Sequence, residues 1–554
     1  MSASPESVEL AERAAERHVI VVGGGVAGLV AARECAKVGM RVTLLEASGE
    51  LGGAVRRAEI DGVIVDAGAE SYATRGGHVR ELVDELGLAD RVQTPASGGA
   101  WLAGIPGQGA APLPAGGLLG IPGNPFRDDV RRIIGWRGAW RAYVDRVRPP
   151  LTIGHQRSLG RLVESRMGAR VLERLVAPVT AGVYSAHPDD VDVDIAAPGL
   201  NAALTRVGSL GGAVEALRGE QASAREGKAP GSAVEGLAGG MSTLVDALRA
   251  DLEKLGGEAR TGAAAQRLER NGDGWLVHLA SADAPDAPDA RDAAGAGPGG
   301  ADSDAAETSV AASGDVPSRA PGSRSAGLAA ATPDGDAAAR DAGAPASGFP
   351  VAPERLEADA VIVATTEDAA RALLAVHVAD TADGGASPEI EIVTLLLDAP
   401  ALDAAPRGTG VLTVPHSHTA KALTHATAKW AWLQETTRGR HVVRVSFGSQ
   451  GERAATAELD DDAAALLALT EAAALLGVPL EPAQLVGSHR ARFTQSQPAS
   501  LIGAAERRER TRTAVQAVPG LGVVGAWLSG TGLAQVVPDA KEEADRIRRA
   551  LLWD

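Results

Sequence analysis

The 554-residue chain contains one cysteine, Cys35. No intrachain disulfide can form, and its place inside an apolar helical pattern marks it as a small packing residue. Aromatics are nearly as scarce, with 8 Trp, 3 Tyr and 4 Phe, so an ordinary apolar content of 45% must build its core mostly from Ala, Val and Leu. No window approaches 18 uninterrupted apolar residues, and residues 1–17 carry no apolar run of the signal-peptide kind. A membrane span and secretion are therefore not expected, and the cytoplasm is the expected compartment. Positive charge is in deficit: 54 basic against 71 acidic side chains leave a net −17, which argues against nonspecific binding to nucleic acid or to anionic membranes.

What is present begins at His18. His18 to Val22 is a short β-branched run suited to a strand buried on both faces, and it leads into Gly23, Gly25 and Gly28 in GxGxxG spacing. Gly23 allows the tight turn, Gly25 lets a pyrophosphate approach the backbone, and Gly28 lets the following helix lie against the sheet. That helix aims its N-terminal amides, from Gly24 through Val26 and Ala27, at the phosphates. A second strand, Arg41 to Leu45, delivers Glu46 and Ala47 where a carboxylate can bind a ribose diol. A second glycine pair, Gly52-Gly53, and a third close approach at DAGAES, with Ala69, Glu70 and Ser71, complete a constellation that resembles the flavin amine oxidase and protoporphyrinogen oxidase superfamily, whose dinucleotide is FAD.

The remaining chain predicts an α/β fold: a discontinuous Rossmann-like FAD-binding domain, a mixed-sheet substrate-binding domain and a helical subdomain. Residues 1–17 are expected to be a disordered tail. Residues 18–90, 235–280, 351–375 and 515–554 are assigned to the FAD domain, 91–234 to a loop-rich and helical subdomain, and 376–514 to the substrate domain. Residues 281–350 form a low-complexity Ala, Asp, Gly, Pro and Ser tract with 11 acidic and 4 basic side chains, too poor in large apolar groups to offset chain entropy. Disorder is expected there. ALTHATAKWAWLQET and its neighbours from Ile390 to Phe447 read as strands, and Asp460 to Leu476 as an amphipathic helix.

Further parts of the resemblance are Gly239-Gly240-Met241 before a helix, which implies an adenine contact near Ala259, and a C-terminal strand, glycine turn and helix. The latter puts Gly525, Gly530, Thr531, Gly532 and Leu533 beside the cofactor. The closest resemblance is to bacterial oxygen-dependent protoporphyrinogen/coproporphyrinogen oxidases of haem biosynthesis. It implies six-electron oxidation of a porphyrinogen by O₂ through FAD, no resident metal, and transient contact with a downstream ferrochelatase. Propionates on the substrate call for cations. Arg75 and Lys429 rank first as residues at the reacting end, with Arg56, its neighbour Arg57, and Arg492 as further clamps. The loop Ala96 to Pro114 lacks the arginine that protoporphyrinogen-type members place there, which favours coproporphyrinogen III over protoporphyrinogen IX. An amine oxidase or desaturase-like enzyme, and an FAD-binding protein without turnover, stand as alternatives.

Overall fold

In the computed structural model, which describes residues 5–148, 156–223, 234–280, 354–379, 388–494 and 500–553, His18–Val22 is fully buried at the centre of a parallel sheet. The order is Glu258–Arg260, Arg41–Leu45, His18–Val22, Ala360–Val363, Leu521–Val523. Parallel neighbours need long crossovers, so the sheet collects strands from widely separated parts of the chain. Helix Val26–Ala36 is buried along its whole length, between the sheet and the helices Ser242–Lys254 and Leu533–Trp553. Its small side chains permit that. Cys35 has no exposed surface, and burial pushes its thiol up to about 12, as befits an inert packing residue.

A second, mixed sheet of seven strands runs Leu485–Thr494, Glu389–Leu397, His441–Phe447, Ala422–His425, Gly410–Thr413, Ala100–Ile105, Gly109–Pro112. All its pairs are antiparallel except Gly410–Thr413 with Ala100–Ile105. One face packs on helix Asp461–Leu476, whose N-terminus Asp460 caps by accepting Ala463 N at 2.8 Å. The other face meets the helical segments between Asp128 and Ser223 through Leu102, Leu412 and Val414.

Three expectations are corrected. The supposed disordered tail contains helix Pro5–Glu16, which buries Ala14 in the nucleotide-domain core and ties Arg13 Nη1 to Leu552 O at 2.6 Å. The Gly/Pro-rich stretch given to the loop-rich subdomain supplies two strands, 100–105 and 109–112, to the mixed sheet; its alternation is masked by glycines that carry no hydropathy signal. The KWAW segment is not a strand. It forms the short helices Ala426–Lys429 and Ala431–Thr436, because Trp430 and Leu433, three apart, share one pocket with Ile60, Val65, Leu396 and Val442. Tertiary packing overrides the β-propensity of Trp and Thr.

The low-complexity tract lies outside the described residues. Its two flanks pair antiparallel, Gly274–Leu279 with Arg355–Ala358, in a register that sets His278 opposite Arg355. The attachment points are therefore adjacent, and a short turn can bridge them. Deleting 281–350 and rejoining the ends should leave flavin content, turnover and thermal midpoint within error of wild type, since loop length costs little free energy. A collapse in soluble yield or turnover would show that the tract packs on or regulates the enzyme.

Candidate cofactor and substrate site

The glycine stretches converge at the carboxyl ends of the parallel strands, where ligands of open α/β sheets bind. Gly23 N donates to Leu45 O (2.7 Å), Gly52 N to Gly24 O (2.9 Å), and Ala69 N to Ala54 O (3.0 Å). The first and second glycine motifs thus form a bridge, Gly25 with Gly52, and DAGAES lies directly on the residues after Gly53. A Cβ on Gly28 would stand 1.9 Å from Gly23 O, and one on Gly23 2.5 Å from Ala364 O, so both are dictated by packing. Gly25 differs. Its φ is −67° and a Cβ there would meet nothing within 4 Å. The space that a side chain would fill is open, on the axis of a helix N-terminus, which fits a pyrophosphate.

Glu46 faces the same place. Its Oε2 accepts Gly24 N at 2.6 Å and its Oε1 accepts Ser48 N and Oγ at 2.9 Å, fixing a half-buried carboxylate with lone pairs to spare for a diol. Ala47 is exposed beside it, and Ala259 pairs with Leu44 on the next strand. Near the opposite edge of the sheet, at the same strand ends, Gly525, with φ 139°, lies 3.7 Å from Thr365 O as judged from its absent Cβ, and Gly530, Thr531 and Gly532 lead into the helix that starts at Leu533. Asp66 of DAGAES accepts Met241 N at 2.8 Å, locking the Gly239-Gly240-Met241 turn to this loop. Burial pushes its carboxyl up to about 6, against the opposing pull of Arg444.

Where DAGAES meets the mixed sheet there is a largely buried triad, with Arg444 innermost. Glu70 accepts from Lys429 Nζ on one oxygen and from Arg444 Nη1 on the other, the latter at 2.9 Å. Burial alone would push Glu70 up, but the two cations hold it below its ordinary value. Arg444 also donates to the carbonyls of Ala67 and Gly68, and its Nε is buried without a partner.

The sequence-derived cations fare differently. Lys429 is not a free clamp, because Glu70 neutralises it and its ammonium lies 5.1 Å from the Trp430 ring centre. Arg492 is removed from the site: in the strand 485–494 it points to the face of helix Asp461–Leu476, pairing with buried Glu391 at 2.9 Å, whereas its neighbour Phe493 points to Gly68. A period of two puts adjacent residues on opposite faces. Arg56 is half-buried, stacks over Phe493 at 5.2 Å and donates to Gly53 O at 2.8 Å, so it props the glycine pair. Arg57 pairs with Asp246 at the surface. Arg75 is exposed and has a neutral partner, Gln535, whose amide in the orientation that satisfies both ends accepts from Arg75 Nη2 at 3.2 Å.

Two residues escaped the sequence reading. Thr365 adjoins both Gly23 and Gly525. Arg444 stood in view as the one cation of the apolar strand HVVRVSF, at a position whose neighbour two before, Val442, is core. A buried charge on a strand needs a partner, and that was the available signal.

A parallel sheet with three converging glycine motifs at its strand ends, together with a mixed sheet and helical segments, is the α/β architecture of a flavin-containing oxidoreductase. Residues 26–301 match the model for flavin containing amine oxidoreductases, and the chain belongs to that flavin-containing family. Its relatives include coproporphyrinogen III oxidases of Propionibacterium freudenreichii subsp. freudenreichii (31% identity over 183 residues, 33% of this chain and 34% of the relative) and Bacillus subtilis (29% over 184 residues, 32% and 39%). The mitochondrial protoporphyrinogen oxidase of Nicotiana tabacum is 28% identical over 253 residues, 43% of this chain and 48% of that one. These matches span about a third to a half of the relatives' length. Among solved structures, an Exiguobacterium sp. 255-15 protein provisionally named a protoporphyrinogen oxidase superposes with TM-score 0.71 at 21% identity, covering 96% of this chain and 99% of that one. A reduced UDP-galactopyranose mutase gives 0.61 at 11%, covering 97% of each. At these identities the likeness establishes the fold. No described helix is long and apolar enough to cross a membrane.

Proposed function

We propose that the chain is an FAD-dependent oxidase that uses O₂ to convert coproporphyrinogen III to coproporphyrin III. The observation that carries this reading is the open space over Gly25 at the strand ends, next to a sheet face that presents buried cations. The relatives' names point the same way. Gly23 to Ala27 would hold the pyrophosphate, Glu46 and Ala47 the ribose, and Ala259 the adenine. Gly52, Gly53, Ala69 to Ser71 and Gly525 to Leu533 would flank the flavin end. When bound, FAD supplies a two-electron acceptor whose electrons pass on to O₂. Because a porphyrinogen must lose six electrons and six hydrogens to become aromatic, three rounds consume three O₂ and yield three hydrogen peroxide. Aromatisation drives the reaction, so the protein's task is to position the macrocycle.

The triad of Glu70, Lys429 and Arg444 carries one net positive charge on the sheet face, which favours an anionic substrate and stiffens the DAGAES loop. Arg75 is the remaining propionate clamp of the sequence-derived set. Its substitution, Arg75→Gln, should raise KM for coproporphyrinogen III about 10- to 100-fold through the loss of a charge-assisted hydrogen bond, with flavin content unchanged. An unaltered KM would remove Arg75 from the site. The absence of arginine from Ala96 to Pro114 supports the four-propionate substrate over protoporphyrinogen IX. No comparison supports the ferrochelatase contact.

Anaerobic mixing tests the reaction. Coproporphyrinogen III should bleach the flavin after loss of two electrons, and admitting O₂ should then complete the remaining rounds and raise porphyrin fluorescence, while putrescine should do neither. Bleaching by the amine alone would replace this reading with that of an amine oxidase.

A further inference from the structure

Away from the triad, the mixed sheet holds a second cation in an unusual setting. Lys421 immediately precedes the strand Ala422–His425, and its Nζ donates to Ser185 Oγ at 2.7 Å. Among the described residues no carboxylate pairs with it. Ser185 is 3% exposed, has φ 52° and closes the helix Ala177–Tyr184. That helix rests on the sheet face bearing Leu412, since a Cβ on Gly182 would lie 2.5 Å from Leu412 Cδ2. Leu412 is paired with Ala422, and Ala422 with Ser446, two residues from Arg444 on one strand. Lys421, one residue before Ala422, is out of phase with these positions, but its ammonium reaches Ser185 at the end of the helix that rests on that face. Thr424 is opposite Arg444, so Lys421 stands three residues along, about 10 Å at roughly 3.3 Å per residue. Gln450 donates its N–H to Ser185 O at 2.9 Å, and its own Oε1 is buried without a partner.

A half-buried ammonium with a hydroxyl, an unsatisfied carboxamide and no counter-ion is destabilising unless an anion arrives. We propose that Lys421, Ser185 and Gln450 form a carboxylate-binding subsite that takes one propionate of the substrate at the helical-segment end of the sheet. The inference rests on the porphyrinogen reading above. A carboxylate would accept from the Lys421 ammonium and from the hydroxyl of Ser185, and a turned Gln450 amide would give its N–H₂ in place of the orphaned oxygen. Burial also lowers Lys421 to about 8, so its charge, and with it the subsite, should fade as pH rises through that value.

The test is equilibrium binding of coproporphyrin III and of its tetramethyl ester to the flavin-loaded wild type and to Lys421→Met and Lys421→Arg, by porphyrin fluorescence. The wild type should bind the tetra-acid well and the ester poorly. Lys421→Met should weaken tetra-acid binding about 10- to 100-fold and abolish the fall in affinity between pH 7 and 9, whereas Lys421→Arg restores most of it. Flavin content should be unchanged, and the apparent Tm of Lys421→Met should rise, because an unpaired buried charge is removed. A structural lysine would behave in the opposite way, its loss lowering Tm and leaving affinity alone. Affinity of Lys421→Met equal to wild type would overturn the subsite and leave porphyrinogen oxidation standing. A wild type that neither binds coproporphyrin nor oxidises any porphyrinogen would overturn both.

Discussion

Gly25→Val should give a folded but colourless protein. The backbone at this position is extended and negative in φ, and the added side chain meets no protein atom within 4 Å of its Cβ, so nothing in the polypeptide resists it. What it fills is the approach of a pyrophosphate to the helix N-terminus. The variant's apparent Tm should match that of wild type stripped of flavin, and its flavin absorbance after purification should be near zero. Gly28→Ala provides the contrast: a methyl 1.9 Å from Gly23 O must displace backbone, so that variant should lose soluble expression altogether. A yellow Gly25→Val protein with normal stoichiometry would sink the assignment of the dinucleotide site.

Replacing Glu70 by Gln should be strongly destabilising. It leaves Lys429 and Arg444 buried together with no counter-charge, and breaking a buried pair from one side typically costs about 3 to 5 kcal/mol. The effect should show as a fall of roughly 3 to 5 °C in apparent Tm. The pH dependence follows from the direction of the shift. Glu70 is held below its ordinary value in the folded protein, so its contribution is complete at neutral pH and is lost as pH falls below that ordinary value through the depressed one. The gap between wild type and Glu70→Gln should therefore narrow on acidification. Adding Arg444→Met should recover part of the loss by removing one orphaned charge. Equal melting of wild type and Glu70→Gln at pH 7 would mean that water, rather than Glu70, compensates the two cations.

Much of the nucleotide half was legible because its rules are local. GxGxxG, a carboxylate at the end of the next strand and the Gly52-Gly53 pair each occupy one short stretch, and each glycine has a backbone reason that the structure repeats: Gly23 against Ala364, Gly28 against Gly23. The substrate half was legible only in outline. KWAW reads as a strand from its residue types, yet the shared pocket of Trp430 and Leu433 winds it into two short helices. Residues 100–112 read as a loop or a short hairpin because glycine and alanine carry no alternation; they form a hairpin, and its place at the edge of the seven-stranded sheet was not legible. Arg492 and Phe493 are neighbours in sequence and lie on opposite faces of one strand, and no motif says which face looks toward the nucleotide.

The amino-acid sequence by itself determined the dinucleotide frame: where the chain turns, where backbone can approach a phosphate, and which carboxylate ends the second strand. These depend on φ freedom and on spacing within some thirty residues, which a linear chain displays. Only the tertiary structure decided which cations are available to a substrate. Lys429 is spent on Glu70, 359 positions away; Arg492 is turned to Glu391 on the far face; and Lys421 meets Ser185 across 236 positions with no acid among the described residues to neutralise it. Charge pairing is set by distance in space and by burial, and neither is a property of any one stretch of the chain.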